Sequence, residues 1–154
     1  MKKIVLLLIM GLLYLPSLTF AQTKNIDVDC NDKPTVPQGY TLIPGNPGGI
    51  YRLTPGNIKT ISFESKTALI TGEKILAKLG DTGLNACVLD YLMAHQEMIP
   101  ESWKTKNVVF AGSIFADAAG NKFFPTLYWW DNHWDMTRTY LKDADYDDRI
   151  AAIK

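Results

Sequence analysis

Residues 107–141 read NVVFAGSIFADAAGNKFFPTLYWWDNHWDMTRTYL, and this stretch carries the clearest structural signal in the chain. Asn107–Phe115, Phe123–Trp130 and His133–Leu141 are apolar or alternating runs rich in aromatic and β-branched residues, the composition of strands. Ala118-Ala119-Gly120-Asn121 separates the first two, with a glycine free to take positive φ. Asp131-Asn132 separates the second and third, a two-residue hairpin without the usual glycine. The pattern predicts a three-stranded antiparallel meander. Pro125, inside the second strand, predicts an edge or a bulge there. On the third strand, Trp134, Met136 and Tyr140 share one face, and His133, Asp135, Thr137 and Thr139 share the other.

Upstream of the meander the pattern turns helical. Thr71 is placed to cap a helix, Glu73 sits in its first turn, and Ile75, Leu76 and Leu79 form an apolar stripe that Gly80 ends. Asn85 caps a second helix with Val88, Leu89, Leu92 and Met93 as its buried stripe, and Pro100 ends it before Trp103. Residues 22–60 are broken by five prolines and several glycines, so only short strands fit, at Ile26–Cys30, Ile50–Leu53 and Ile58–Glu64. The tail Asp145–Ile153, with its acidic start, reads as a short helix. The expected fold class is therefore α+β: a small single domain in which two central helices pack on a C-terminal three-stranded antiparallel meander, with short N-terminal strands.

The first 21 residues are set apart. Lys2 and Lys3 precede an apolar run from Ile4 to Leu15, and Thr19-Phe20-Ala21 offers small residues at a cleavage site. This is the layout of a secretory signal peptide, and the run is too short for a spanning helix. The division is 1–21 signal peptide and 22–154 single domain, secreted or periplasmic, with no stable membrane anchor after cleavage. The 154-residue chain carries 16 basic and 16 acidic residues; losing Lys2 and Lys3 leaves the exported part at −2. That balance gives no electrostatic case for a nucleic-acid partner. Cys30 and Cys87 are the only cysteines, and export to an oxidising compartment makes a disulfide between them the favoured reading over two buried thiols.

The segment LNACVLDYL at 84–92, followed by MIPESWK at 98–104, resembles a pattern in a family of small uncharacterised bacterial and phage-encoded proteins. There a helical segment leads through IPE-x-WK into a strand pair, here Val108–Phe115 and Thr126–Trp129. The opening Asp29-Cys30-Asn31 with Pro34, Pro37 and Gly39-Tyr40 resembles the start of that family. Cys87 departs from it, standing where a polar residue is usual. The resemblance implies a shared fold and no established activity.

Chemistry is sparsely encoded. Cys87 and His95 lie eight residues apart on one helix, about 12 Å along its axis, so they form no dyad. Glu97 and Glu101 read as a surface pair, and Ser113 reaches His133 only in an unproven register. The aspartates at 143, 145 and 147 match the first ligand positions of a calcium loop, but Asp148 replaces the glycine and Lys154 the glutamate. No cofactor or metal is expected. The distinctive local composition is Tyr128–Asp135. Trp129, Trp130, Asp131, His133, Trp134 and Asp135 are the candidate binding residues, since aromatics beside carboxylates suit both sugar stacking and protein interfaces. Alternation puts Trp129 and Trp130 on opposite faces, so one of them serves a second surface. The expected function is a non-enzymatic binding or interaction protein of the inhibitor or immunity kind, whose partner is another protein or a glycan in the cell envelope. The alternative is a small cell-envelope hydrolase acting on carbohydrate or cell-wall material, with His133 and Asp135 as acid/base groups.

Overall fold

A computed structural model describes residues 25–32, 34–45, 48–63, 70–145 and 149–154. The signal-peptide reading of residues 1–21 lies outside these, as do Tyr146, Asp147 and Asp148 of the acidic run. No helix among the described residues is long and apolar enough to cross a membrane.

Among the described residues, eleven strands and two α-helices follow in chain order: β1 (Ile26–Asp29), β2 (Thr41–Ile43), β3 (Ile50–Leu53), β4 (Thr60–Ser62), β5 (Ile70–Thr71), α1 (Gly72–Leu79), α2 (Ala86–Ala94), β6 (Asn107–Val109), β7 (Ile114–Ala116), β8 (Lys122–Trp130), β9 (His133–Tyr140), β10 (Ala144–Asp145) and β11 (Arg149–Ala152). Short 3₁₀ turns lie at Gly80–Thr82, Gln96–Met98 and Glu101–Thr105.

Seven strands form one mixed sheet, built around β8. On one edge β8 pairs with β9 along almost its full length, from Phe123 opposite Tyr140 to Trp130 opposite His133. On its other edge two strands follow one another. β7 pairs at the Lys122–Phe123 end and β6 at Thr126–Leu127. The sheet therefore forks. One branch continues from β7 to β2, and the other from β6 through β11 to β4. Pro125 stands at the fork. Its carbonyl accepts the Phe110 N–H at 3.0 Å, so its nitrogen also faces the gap between β7 and β6. A residue without a donor fits where the ladder changes partner.

This architecture corrects the expected one. The protein is mostly β, and its two helices do not share one meander surface. They lie on opposite sides of the seven-stranded sheet. Val88, Leu89 and Leu92 of α2 pack with Val108, Leu127, Trp134 and Ile150. Ile75 and Leu79 of α1 pack with Val109, Phe124 and Ala151, which alternate onto the other face. β1 and β3 form a separate antiparallel pair whose Val28, Tyr51 and Leu53 join the α2 side.

Two local features account for the difference. Asn107–Phe115 is not one strand, because the chain turns at Ala111-Gly112 between β6 and β7. Gly112 donates its N–H to the Leu84 carbonyl at 2.9 Å, and the backbone around Gly83 and Leu84 lies against it. A methyl group on Gly112 would meet the Gly83 carbonyl oxygen and sit 2.8 Å from the Leu84 carbonyl. Gly112→Ala is therefore expected to cost at least about 1–3 kcal/mol, read as a lowered urea midpoint. An unchanged midpoint would show that this approach can relax.

The second feature is the tail. Residues 149–152 form not a helix but β11, an interior strand, parallel to β6 and antiparallel to β4. All four of its residues are buried. β10, just before it, pairs with β5.

The helix ends follow the sequence. The Thr71 hydroxyl accepts the Lys74 N–H at 3.3 Å, and Asn85 Oδ1 accepts the Val88 N–H at 3.3 Å. Gly80 ends α1 at φ 52°. Cys30, just after β1, and Cys87, in the first turn of α2, form a disulfide.

Candidate functional site

The β8–β9 hairpin separates the six expected binding residues onto two surfaces. Its turn is tight, with Asp131 at φ 45° and Asn132 at φ 63°. Both values are left-handed, as a type I′ turn requires, and Asp and Asn tolerate them better than other side chains. A two-residue turn fixes the register by counting outward: Trp130 opposite His133, Trp129 opposite Trp134, Tyr128 opposite Asp135.

Trp129 and Trp134 point to the α2 side. Their rings meet edge-on, with centroids 5.1 Å apart at 69°. Trp134 is buried, and the Lys104 ammonium lies 4.2 Å from the centre of the half-buried Trp129 ring. Trp134 belongs to the core cluster that contains Trp103 and Leu127, and Trp129 packs against it.

Trp130, His133 and Asp135 point to the α1 side, at the end of the sheet beyond the core that α1 covers. Trp130 is 68% exposed. His133 and Asp135 are exposed too, and Tyr128 is half-buried. Asp135 is held by two donors: the Tyr128 hydroxyl reaches Oδ2 at 3.1 Å and the Met136 N–H reaches Oδ1 at 2.7 Å. A carboxylate has about four acceptor positions, so this one keeps capacity while its direction is fixed. His133 Nδ1 lies 3.1 Å from the Asp131 carbonyl oxygen. The result is one large exposed ring flanked by an oriented carboxylate, an imidazole and the Asp131 side chain on a rigid tip. Thr139, further along this face, is buried, and its hydroxyl lies 2.7 Å from that of Thr126.

Tyr128 was not among the expected binding residues, although the turn and the strand period together place it across from Asp135. The hydrogen bond to Asp135 raises the Tyr128 pKa above the ordinary tyrosine value, because ionising the phenol would remove a donor and set two negative charges side by side. Asp135→Asn should therefore move the Tyr128 titration back down toward the ordinary value, read by phenolate absorbance in alkaline titration. A curve unmoved by the substitution would show that the pair does not form in solution.

Ser113 is buried in the turn between β6 and β7, where its hydroxyl accepts the Ala86 N–H at 3.0 Å. Glu97 faces His95 at 3.6 Å, while Glu101 pairs with Lys104 at 2.8 Å. Among the described residues no group of three or more His, Cys, Asp or Glu could hold a metal ion.

No protein-family model, curated protein or solved structure matches this chain.

Proposed function

We propose that this is an exported, non-enzymatic binding protein, of the inhibitor or immunity kind, that engages an envelope protein or glycan through the face formed by Trp130, Asp131, His133 and Asp135. The exposure of Trp130 carries this reading. A tryptophan 68% exposed on a tight hairpin contributes little to its own fold and presents a large apolar surface at small entropic cost. The carboxylates beside it supply direction. The Cys30–Cys87 bridge supports an oxidising, non-cytosolic compartment, and the signal-like residues 1–21 support export by cleavage after Ala21. The family resemblance of residues 84–104 adds no activity to this reading.

The hydrolase alternative gains nothing from the contacts. Both Asp135 oxygens accept hydrogen bonds, and His133 Nδ1 faces a backbone carbonyl rather than a carboxylate.

The test is retention of envelope components on the immobilised, disulfide-bonded protein. Trp130→Ala should abolish retention that Ile50→Ala, at an equally exposed apolar residue on another surface, leaves intact. Equal retention by both variants, or none by the unaltered protein, would overturn the proposal.

A further inference from the structure

β9 is the outermost strand of its side of the sheet, and no described strand pairs with its outer edge. The Leu141 N–H donates to the Lys122 carbonyl, so alternation turns residues 133, 135, 137 and 139 toward β8. The backbone groups of Trp134, Met136 and Arg138 consequently face outward. Beyond them the start of α1 lies against the Tyr140 carbonyl, which ends the open stretch. An open edge on so long a strand is a template for another chain unless it is guarded. Here one guard is visible: Asp135 Oδ1 covers the Met136 N–H.

Beside this edge, on the α2 side, runs a groove of about 330 Å³. Buried Phe115 and Phe123 floor it, Leu89 and Asp90 of α2 form one wall, and Met136 and Arg138 form the other. Asp90 is engaged, since its Oδ2 accepts the Thr35 N–H at 2.9 Å. Arg138 differs. Its guanidinium donates to the Tyr40 hydroxyl and lies 5.4 to 6.0 Å from the ring centres of Tyr40, Tyr140 and Phe123. Among the described residues no salt bridge involves Arg138, although its charge reaches the Asp117 carboxylate and helps to lower that group's pKa. Three rings and one hydroxyl orient a guanidinium that has five N–H donors, an arrangement suited to an incoming carboxylate.

We propose that β9 and this groove receive an extended segment of a partner protein, which adds as an outer strand, seats an aliphatic side chain beside Met136 and places an acidic side chain on Arg138. Met136 and Arg138 are two residues apart and share a face, as do alternate residues of an added strand. An incoming carbonyl takes the Met136 N–H over from Asp135. The groove lies opposite the Trp130 face, and the two share only Asp135, which keeps its bond from the Tyr128 hydroxyl when the incoming strand takes the Met136 N–H.

The experiment is selection of a phage-displayed library of random linear heptapeptides on the disulfide-bonded protein, followed by binding of synthetic copies. The expected peptides carry an acidic residue two positions from an aliphatic one. Their affinity should fall about tenfold with Arg138→Gln. Arg138→Glu should select basic residues in place of acidic ones, and alternate backbone N-methylation should abolish binding. Trp130→Ala should leave affinity within twofold, which separates failure here from failure of the Trp130 face. Arg138 is exposed, and matching thermal melts will show that both variants fold. Recovery of no peptide, absence of the acidic preference, or unchanged affinity with Arg138→Gln would each overturn the proposal.

Discussion

Trp134→Ala should lower the unfolding free energy by about 3–5 kcal/mol, among the largest losses of any single truncation in the chain. The side chain is 6% exposed and touches Trp129 edge-on inside the cluster that joins α2, β6 and β8. Removing it leaves a cavity in that cluster that its neighbours cannot all collapse into. Trp130→Ala, four residues away across the same turn, should change stability by less than about 0.5 kcal/mol, because that ring is mostly in water. Urea unfolding of the two variants decides the matter. Similar losses for both would mean that the hairpin presents its faces the other way, or that Trp130 is covered in solution.

Opening the Cys30–Cys87 bridge should cost about 4 kcal/mol by the loop-entropy relation for a separation of 57 residues. The bridge fastens the β1–β3 pair to the start of α2, joining two elements that contribute to the same core. Reduction should lower the urea midpoint and steepen the transition, since the reduced unfolded chain expands further. Cys30→Ser combined with Cys87→Ser should reproduce the shift without reductant. A midpoint unmoved by either treatment would show that the bridge does not constrain the unfolded chain.

The local signals in the sequence translated well where one residue type has one physical role. Thr71 and Asn85 cap the helices because their side-chain oxygens accept first-turn N–H groups that have no carbonyl one full helical turn before them. Asp131-Asn132 turns the hairpin because both residues accept positive φ. The bridge followed from counting cysteines in a chain with a signal-like start.

What failed was non-local. Arg149-Ile150-Ala151-Ala152 is short and half alanine, the strongest helix former, and follows aspartates that suit a helix start. Its strand state comes from β6 and β4 on its two edges, partners more than forty residues away. Small side chains serve there because α1 and α2 cover the two faces of the sheet. The break at Ala111-Gly112 is set by the approach of Leu84, which no window around residue 112 contains.

The site divided in the same way. Strand alternation separated Trp129 from Trp130, and the turn placed Tyr128 beside Asp135. The aromatic seat of Arg138 depends on Tyr40, 98 residues earlier, and no local pattern could mark it.

The place of β11 has a consequence for the order of assembly. β4 and β6 do not touch each other in the sheet; β11 lies between them. Until residue 152 has been synthesised, both strands keep raw edges, and α1 and α2 have an incomplete surface to close on. Such late, distant pairing makes folding slow, because the chain must close long loops before the contacts that stabilise them exist. Under the export proposed above, that delay is useful: the sheet cannot lock before β11 is available, and the disulfide can then form on a chain already delivered.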